Sequence, residues 1–484
     1  MRAVYYLSAL DQARLLRQRK ISARELLKLS RARVENYNPA INAVIVSDFA
    51  RAEKAAAAAD RRLKRGEPRG VFDGVPMTIK ESFDWTGTPS TWGVARLRAN
   101  IASKDAVAVK RITDTGAVLY GKTNVPLMLA DWQSFNEIYG TTNNPWDLKR
   151  APGGSSGGSA AALATGMSAL EIGSDIGASI RNPAHYCGVY GHKPTFGIVP
   201  LEGQRLPGVV SATDISVGGP LARSARDLTA MLKLMAGSEG LEARALTLKL
   251  PASRHKDLKD FRVAVMLSDP VSEVDQPVQD LIAKLATFLE PRVKKLSFTA
   301  RPDFSTREAM DVYIALLRAA TSRRQSDEEF AVNAAKVEAM GPDDTSYLAQ
   351  MLRAYTIPHR SWLAYNERRH QMRLAWDAFF HDWDVLLCPA AASAAFPHDQ
   401  VGERYERTIA VNGKPVPTTD QLFWAGYSGC FYLPATVAPI GLTPQGLPSG
   451  VQIVAPQYED LTSLRFAELL ERDYAGFVPP PDYP

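Results

Sequence analysis

Cysteine is scarce. Three residues in 484, Cys187, Cys388 and Cys430, are too few and too scattered for a disulfide framework. No CxxC pair suggests a zinc site, and such usage fits a reducing compartment. Long apolar runs are missing too. No stretch reaches the roughly 18 uninterrupted apolar residues of a membrane span. The opening segment, MRAVYYLSALDQARLLRQRK, lacks an apolar signal core and a small-residue cleavage site. These absences make the cytoplasm the expected location. Charge of one sign is not in excess: Lys plus Arg number 57 and Asp plus Glu 52, a net of +5 interleaved along the chain. No basic stripe tracks a phosphate backbone, so nucleic acid is not an expected partner. Gly 33 and Pro 32 are near average usage, which excludes collagen-like and low-complexity chains.

What is present is ordinary for a globular chain, with 45% hydrophobic and 23% charged residues. Ser22 and Glu25 form a capping-box pattern before the amphipathic run ARELLKLSRARVENY. Asn38-Pro39 is the expected stop. A second helix, AEKAAAAADRRLKR, should end at Gly66. Val75–Ile79 and Ala117–Tyr120 read as short buried strands, and the first delivers Lys80 at its end. Strand-like runs return at 384–388, 433–440 and 451–454, and a last helix covers about 461–470. Alternation of short strands and helices indicates an α/β architecture. Residues of about 300–380 read instead as a helical excursion. No repeat or linker marks a boundary, so one large domain over 1–484 is expected.

Two motif matches fail on physical grounds. Residues 116–123, GAVLYGKT, fit the phosphate-loop pattern by letter. That loop needs a strand before it and a helix N-terminus after it. Here a helix precedes Gly116, the interval itself reads as strand, and Pro126 interrupts the start of any helix beyond Lys122. Residues 153–157, GGSSG, fit the nucleophile elbow. An elbow needs a strand running into the serine, and Ala151-Pro152 and a polar turn stand there instead. His359, His370, His381 and His398 lie downstream, but none has a context that singles it out.

One constellation resists a purely structural explanation. Gly153–Ser159 holds four glycines and three serines in seven residues. Glycine loses the most backbone freedom on folding, so such a run suggests close backbone approach to something. After an Ala-rich helix comes a second cluster, Gly173-Ser174-Asp175-Ile176-Gly177-Ala178-Ser179-Ile180-Arg181-Asn182-Pro183. Small residues leave backbone N–H groups bare, as an oxyanion hole requires.

Here the chain resembles the amidase signature family. The run GGSSGGSAAALATG…GSDIGASIRNPAHYCGVYGHKPTFG carries the resemblance, with GVPMTIKES, GKTN and NEIYGTTNNPWD upstream and LPATVAPIG and GLPSGVQIVAP near the C-terminus. It covers about 5–235 and 385–470; the region 236–384 matches nothing assignable. The family's fold implies a central mixed, mostly parallel β-sheet surrounded by helices. Its Ser–cisSer–Lys triad implies Ser179 as nucleophile, Ser155 as bridging serine and Lys80 as base. Ala178 departs from the commonest form, which has glycine there.

The implied chemistry follows from residue types. A serine hydroxyl needs an adjacent base. With no credible histidine, that base should be Lys80, which can accept a proton only if burial lowers its pKa. The resemblance implies an oxyanion hole from the amides of Ile176, Gly177, Ala178 and Ser179. It suggests that Asp175 and Arg181 orient the loop, although a local ion pair at a turn stays open. His185, Cys187 and His192 should be packing residues.

The implied activity is hydrolysis of a carboxamide C–N bond, with carbamates as a further class and no metal or organic cofactor. Two aromatic segments lean the substrate toward a hydrophobic or aryl amide. They nominate Met128, Leu129, Trp132 and Trp424 as substrate contacts. The partner would be a small-molecule amide, with a homodimer left open. Two rivals remain: a glutamine-hydrolysing subunit of an amidotransferase, and a non-catalytic amidase-like binding protein. Intact Lys80, Ser155 and Ser179 argue against the second.

Overall fold

The computed structural model describes residues 3–484. Ser22 and Glu25 form the expected capping box at the start of helix Ala23–Ile41. The expected stop at Asn38-Pro39 does not hold, because Pro39 lies inside the helix and Asn42 ends it at φ 55°. The Asn38 side chain explains the tolerance. Its Oδ1 accepts from the amides of Ala43 and Val44, both at 2.8 Å, and so serves the backbone just beyond the proline. Helix Phe49–Arg65 ends at Gly66 with φ 75°, where glycine carries no Cβ penalty.

Strands β1 (Val44–Ser47), β2 (Pro76–Lys80) and β3 (Val118–Thr123) form a three-stranded sheet in the order β1-β3-β2. β4 (Phe135–Asn136) and β5 (Gly140–Thr141) make a small antiparallel ribbon. The large sheet uses β6 (Leu170–Asp175), β7 (Tyr190–Lys193), β8 (Val217–Ala222), β9 (Arg262–Val265), β10 (Lys295–Ser297) and β11 (Val385–Pro389). A second ribbon, β12 (Thr408–Val411) with β13 (Lys414–Pro417), precedes its last two strands, β14 (Ala435–Leu442) and β15 (Pro448–Val454). The order of the eight is β10-β9-β11-β15-β14-β7-β8-β6.

This sheet is mixed and flanked by helices, as expected, but it is not mostly parallel. Only β9 pairs in parallel, with β10 and β11; every other neighbour pair is antiparallel. Short connections allow this. β14 and β15 are joined by a tight turn closed by Thr443 N–H donating to Leu447 O at 2.8 Å, whereas parallel neighbours need a long crossover. Buried strands of either direction read as the same apolar run, so direction was not legible.

The two sheets meet edge to edge. Ala169 N donates to Pro76 O at 3.4 Å, and Thr78 N donates to Ser168 Oγ at 3.0 Å. Thr78 also donates its hydroxyl to Glu171. β2 and β6 therefore run in the same direction and end side by side. In α/β sheets such carboxyl ends are where ligand sites form. Residues 306–382 contain four helices, Thr306–Ser322, Asp327–Ala339, Tyr347–Tyr355 and His359–Asp382. The first of these reaches the end of β6 through the Tyr313 hydroxyl, which donates to Ile176 O at 2.9 Å. No helix among the described residues is long and apolar enough to cross a membrane.

The glycine-rich run approaches other backbone. Helix Gly157–Ala164 starts against the end of β3. A Cβ on Gly158 would lie 2.4 Å from Asn124 N and 2.9 Å from Ala43 O, both unyielding. Gly158→Ala should therefore cost about 1–3 kcal/mol through overpacking, read as a lowered urea midpoint. Gly341→Ala, with nothing within 4 Å, should be within experimental error of wild type.

Candidate active site

Lys80 ends β2 with its side chain fully buried. Its Nζ donates to Ser155 Oγ at 2.7 Å and Ser174 Oγ at 3.0 Å, and lies 3.5 Å from Ser174 O. Burial drives the Lys80 pKa down to about 7, against the opposing charges of Asp175 and Glu81. At neutral pH the amine is thus poised between its two forms. Ser174 was missed by sequence reasoning. It sits on β6, and only the junction of β2 with β6 brings it to the lysine. Gln204 was missed too; its Nε2 donates to Ser174 Oγ at 3.2 Å and to Ser82 Oγ at 3.4 Å.

Ser155 lies on the loop before helix Gly157–Ala164, and the Gly154–Ser155 peptide is cis. A Cβ on Gly154 would sit 2.2 Å from Asp131 O, so only glycine lets this loop pass. Ser156 N donates to Ser179 O at 3.1 Å and Gly154 N to Asn182 Oδ1 at 3.3 Å. These bonds tie the Ser155 loop to the Ser179 loop. The structure therefore brings Lys80, Ser155 and Ser179 to one place. Ser179 is 5% exposed, and its hydroxyl has no hydrogen-bond partner among the described residues.

Asp175 and Arg181 shape that loop. Asp175 Oδ1 accepts from Ala178 N and Arg181 Nη2; Oδ2 accepts from Ile180 N and Arg181 Nε. Burial alone would raise the Asp175 pKa, yet Arg181 and the Ile180 amide hold it below its ordinary value. Arg181 continues through Nη1 to Ala425 O, Ser428 Oγ and Gln452 Oε1. The pair is more than a local turn contact, because it ties the loop to the neighbouring helix and to β15.

One part of the expected oxyanion set changes. The Ala178 amide is already donated to Asp175 at 3.0 Å. The amides of Ile176, Gly177 and Ser179 donate to no acceptor among the described residues, so three donors remain rather than four. Ala178 has φ 66°, a left-handed conformation that glycine adopts without strain and alanine does not. This accounts for the glycine usual at the position in the family's pattern.

The nominated substrate contacts separate. Trp132 Nε1 donates to Gly177 O at 2.8 Å and so braces the loop. Met128 and Leu129, in left-handed turns at φ 54° and 56°, are not placed on the loop: Leu129 packs with Trp92 and Val125, and Met128 O accepts from Arg324. Trp424 does not line open space: it is fully buried, with its ring against Phe423 at 4.9 Å between centroids. Helix Leu422–Gly429 is covered on all faces, which an aromatic-rich sequence alone does not reveal. Tyr313, from helix Thr306–Ser322, was not nominated. Its hydroxyl donates to Ile176 O at 2.9 Å, and a Cβ on Gly426 would meet its ring at 2.3 Å.

The remaining residues singled out in the sequence are structural. His185 sits buried between Ser393 O and the Gly450 backbone, and His192 between Asp460 and Thr436. Cys187 is buried. His359, His370 and His381 are exposed, and His398 bonds Asn143 Oδ1 at 3.0 Å. The phosphate-loop look-alike is strand β3, and its Lys122 is buried against Ser90 Oγ at 3.0 Å.

A family model described as Amidase matches residues 25–464. Fatty-acid amide hydrolase 2 of Homo sapiens is 32% identical over 516 residues, covering 98% of this chain and 90% of its own length. A glutamyl-tRNA(Gln) amidotransferase subunit from Acidothermus cellulolyticus is 30% identical over 489 residues, covering 96% and 94%. The crystal structure of a bacterial aryl acylamidase of the amidase signature enzymes superposes with a TM-score of 0.80 at 25% identity, covering 97% of this chain and 96% of that one.

The buried amine has a thermodynamic signature. Between about pH 7 and its ordinary pKa, Lys80 is neutral when folded and protonated when unfolded. The unfolded state then binds more protons, so stability rises with pH across that window. Buried Lys122 and Lys193 act in the same direction. Lys80→Met should reduce the slope of unfolding free energy between pH 8 and 10 by about 1.4 kcal/mol per pH unit, measured by urea titration. An unchanged slope would mean that Lys80 stays charged in the folded state.

Proposed function

The chain belongs to the amidase family and is an amide hydrolase, and we propose that it works through a Ser179 acyl-enzyme with Ser155 and Lys80 as proton relay. Neutral Lys80 takes a proton from Ser155, which takes one from Ser179 as its Oγ attacks the amide carbonyl. The amides of Ile176, Gly177 and Ser179 receive the developing oxyanion. The proton returns through Ser155 to the leaving amine, and water releases the acyl group by the same steps. Asp175 and Arg181 hold the loop so that the three amides converge. The observation that carries this reading is the 2.7 Å bond from a fully buried, weakly basic Lys80 to Ser155, on a loop bonded directly to that of Ser179.

The substrate we propose is a hydrophobic or aryl amide. Trp132 and Tyr313 flank the Ser179 loop with aromatic rings, bonded to Gly177 O and Ile176 O, which suits such a group. A second reading, glutamine hydrolysis within an amidotransferase, is favoured by the amidotransferase relative at 30% identity. Hydrolysis of anilides by the isolated chain, with glutamine untouched, supports the first reading. Glutamine turnover with silent anilides supports the second.

The relay has two readouts. A fluorophosphonate should add once to wild type and not at all to Ser179→Ala, by intact mass. Ser155→Ala should lose about 10²–10⁴ in kcat/KM, the usual contribution of positioned proton transfer. Because the base must be neutral, kcat/KM should rise about tenfold per pH unit up to about pH 7 and level off above it. A profile flat from pH 5.5 upward would remove Lys80 as the base.

A further inference from the structure

A cavity lies beside the site, and its arginines have no acid in ion-pair contact among the described residues. Trp92, Leu201, Leu206 and Val209 give it apolar walls; Gln204, Arg205, Arg323 and Arg324 supply the polar ones. None of these three arginines forms an ion pair among the described residues. Arg324 donates to Met128 O at 2.9 Å and lies 5.8 Å over the Trp92 ring. Arg323 donates to Ser211 Oγ at 3.0 Å. Arg205 donates to Val210 O, while its Nε is buried with no hydrogen-bond partner.

The neighbouring acids are occupied elsewhere. Glu202 pairs with Lys104, and Asp214 with Arg369 and Tyr432. Burial pushes the Arg324 pKa down to about 10, and the nearby Arg318 adds to the effect. Arg324 without a paired acid is costly to keep near an apolar wall, Arg323 stands exposed at the rim, and the fork geometry of all three matches a carboxylate.

The cavity is coupled to the Ser179 loop by three routes. Gln204 lines it and bonds Ser174, which bonds Lys80. Residues 128–132 run from Arg324 at Met128 O to the nucleophile loop, where Trp132 meets Gly177 O. Helix Thr306–Ser322 places Tyr313 on that loop and Ala320 in the cavity, about 10 Å apart along its axis. The elements that carry the arginines are therefore the ones that also hold the Ser179 loop.

We propose that this cavity is an anion subsite, and that the chain prefers amides carrying a carboxylate at the end of the acyl chain remote from the scissile bond. The proposal rests on the Ser179 reading above and narrows its substrate class: an apolar chain lies against Trp92, Leu206 and Val209 and ends in a charge held by Arg205, Arg323 and Arg324. Specificity comes from leaving those arginines unpaired when the carboxylate is missing.

The test compares 4-nitroanilides of α,ω-dicarboxylic acids, from succinic to dodecanedioic, with the 4-nitroanilides of straight-chain monocarboxylic acids of the same length. At one or more lengths wild type should favour the carboxylate by about tenfold or more in kcat/KM, and Arg205→Gln, Arg323→Gln and Arg324→Gln should each shrink that ratio several-fold. A ratio near one at every length, or a preference intact in all three variants, overturns the proposal. So does inhibition by free dicarboxylates without any substrate preference, which would assign the cavity to a separate anion. If Arg324→Gln does not fold, the ratio in the two rim variants decides. Fluorophosphonate labelling of Ser179 is run on each protein: labelling with no carboxylate preference sinks the subsite alone, whereas no labelling of folded wild type sinks the nucleophile reading.

Discussion

The arrangement depends on one costly act, the removal of the Lys80 amine from water. A lysine whose pKa falls from its ordinary value to about 7 has lost several kcal/mol of preference for its charged form. Nothing local at the end of a five-residue strand could impose that. The desolvation comes from the edge where β2 meets β6, from the helix that starts at Gly157, and from the Ser155 loop laid across the amine. Ser155 and Ser174 are neutral partners. They satisfy the amine without restoring its charge, which a carboxylate in the same place would do.

The same economy governs the anionic side. Asp175 is two residues past Gly173 on the strand that also supplies Ser174, so a carboxylate sits close to the lysine in space. Its charge opposes the lowering of Lys80. Arg181 limits that opposition by engaging both carboxylate oxygens. The backbone amides of Ala178 and Ile180 take the remaining acceptor capacity. Asp175 thereby sets the turn at Ser179 and leaves the Ile176, Gly177 and Ser179 amides facing outward. The loss of the Ala178 donor follows directly from this division of labour.

Legibility followed contiguity. Lys80, Ser155 and Ser179 were nominated because each stands in a contiguous run that resembles the family's pattern, and the capping box at Ser22 was legible because its two residues are three apart. Ser174, Gln204 and Tyr313 were not. Their contacts join β6, a loop near residue 204 and a helix near residue 313, and no periodicity records such a meeting. The glycine-rich run was legible as a place of close approach but not as to what approaches. Gly154 and Gly158 face the backbone of Asp131 and Asn124, so that run builds the loop carrying Ser155 and does not itself cradle a ligand. Trp424 failed for a related reason: aromatic density marks burial, and burial against protein and burial against substrate look alike in one dimension.

Helix Thr306–Ser322 shows how a region without recognisable motifs can still define a site. Its Tyr313 hydroxyl holds Ile176 O, which belongs to the peptide that presents the Gly177 amide. The ring packs where Gly426 has no side chain, and this fixes the helix against its neighbour Leu422–Gly429. The helix pinned at that point ends at Ser322, with Arg323 and Arg324 just beyond, so Tyr313 and the two arginines are held by one element. In the proposed reading the chemistry stays with the serine loops and the lysine, and the helix sets the length and end charge of the molecule that uses them.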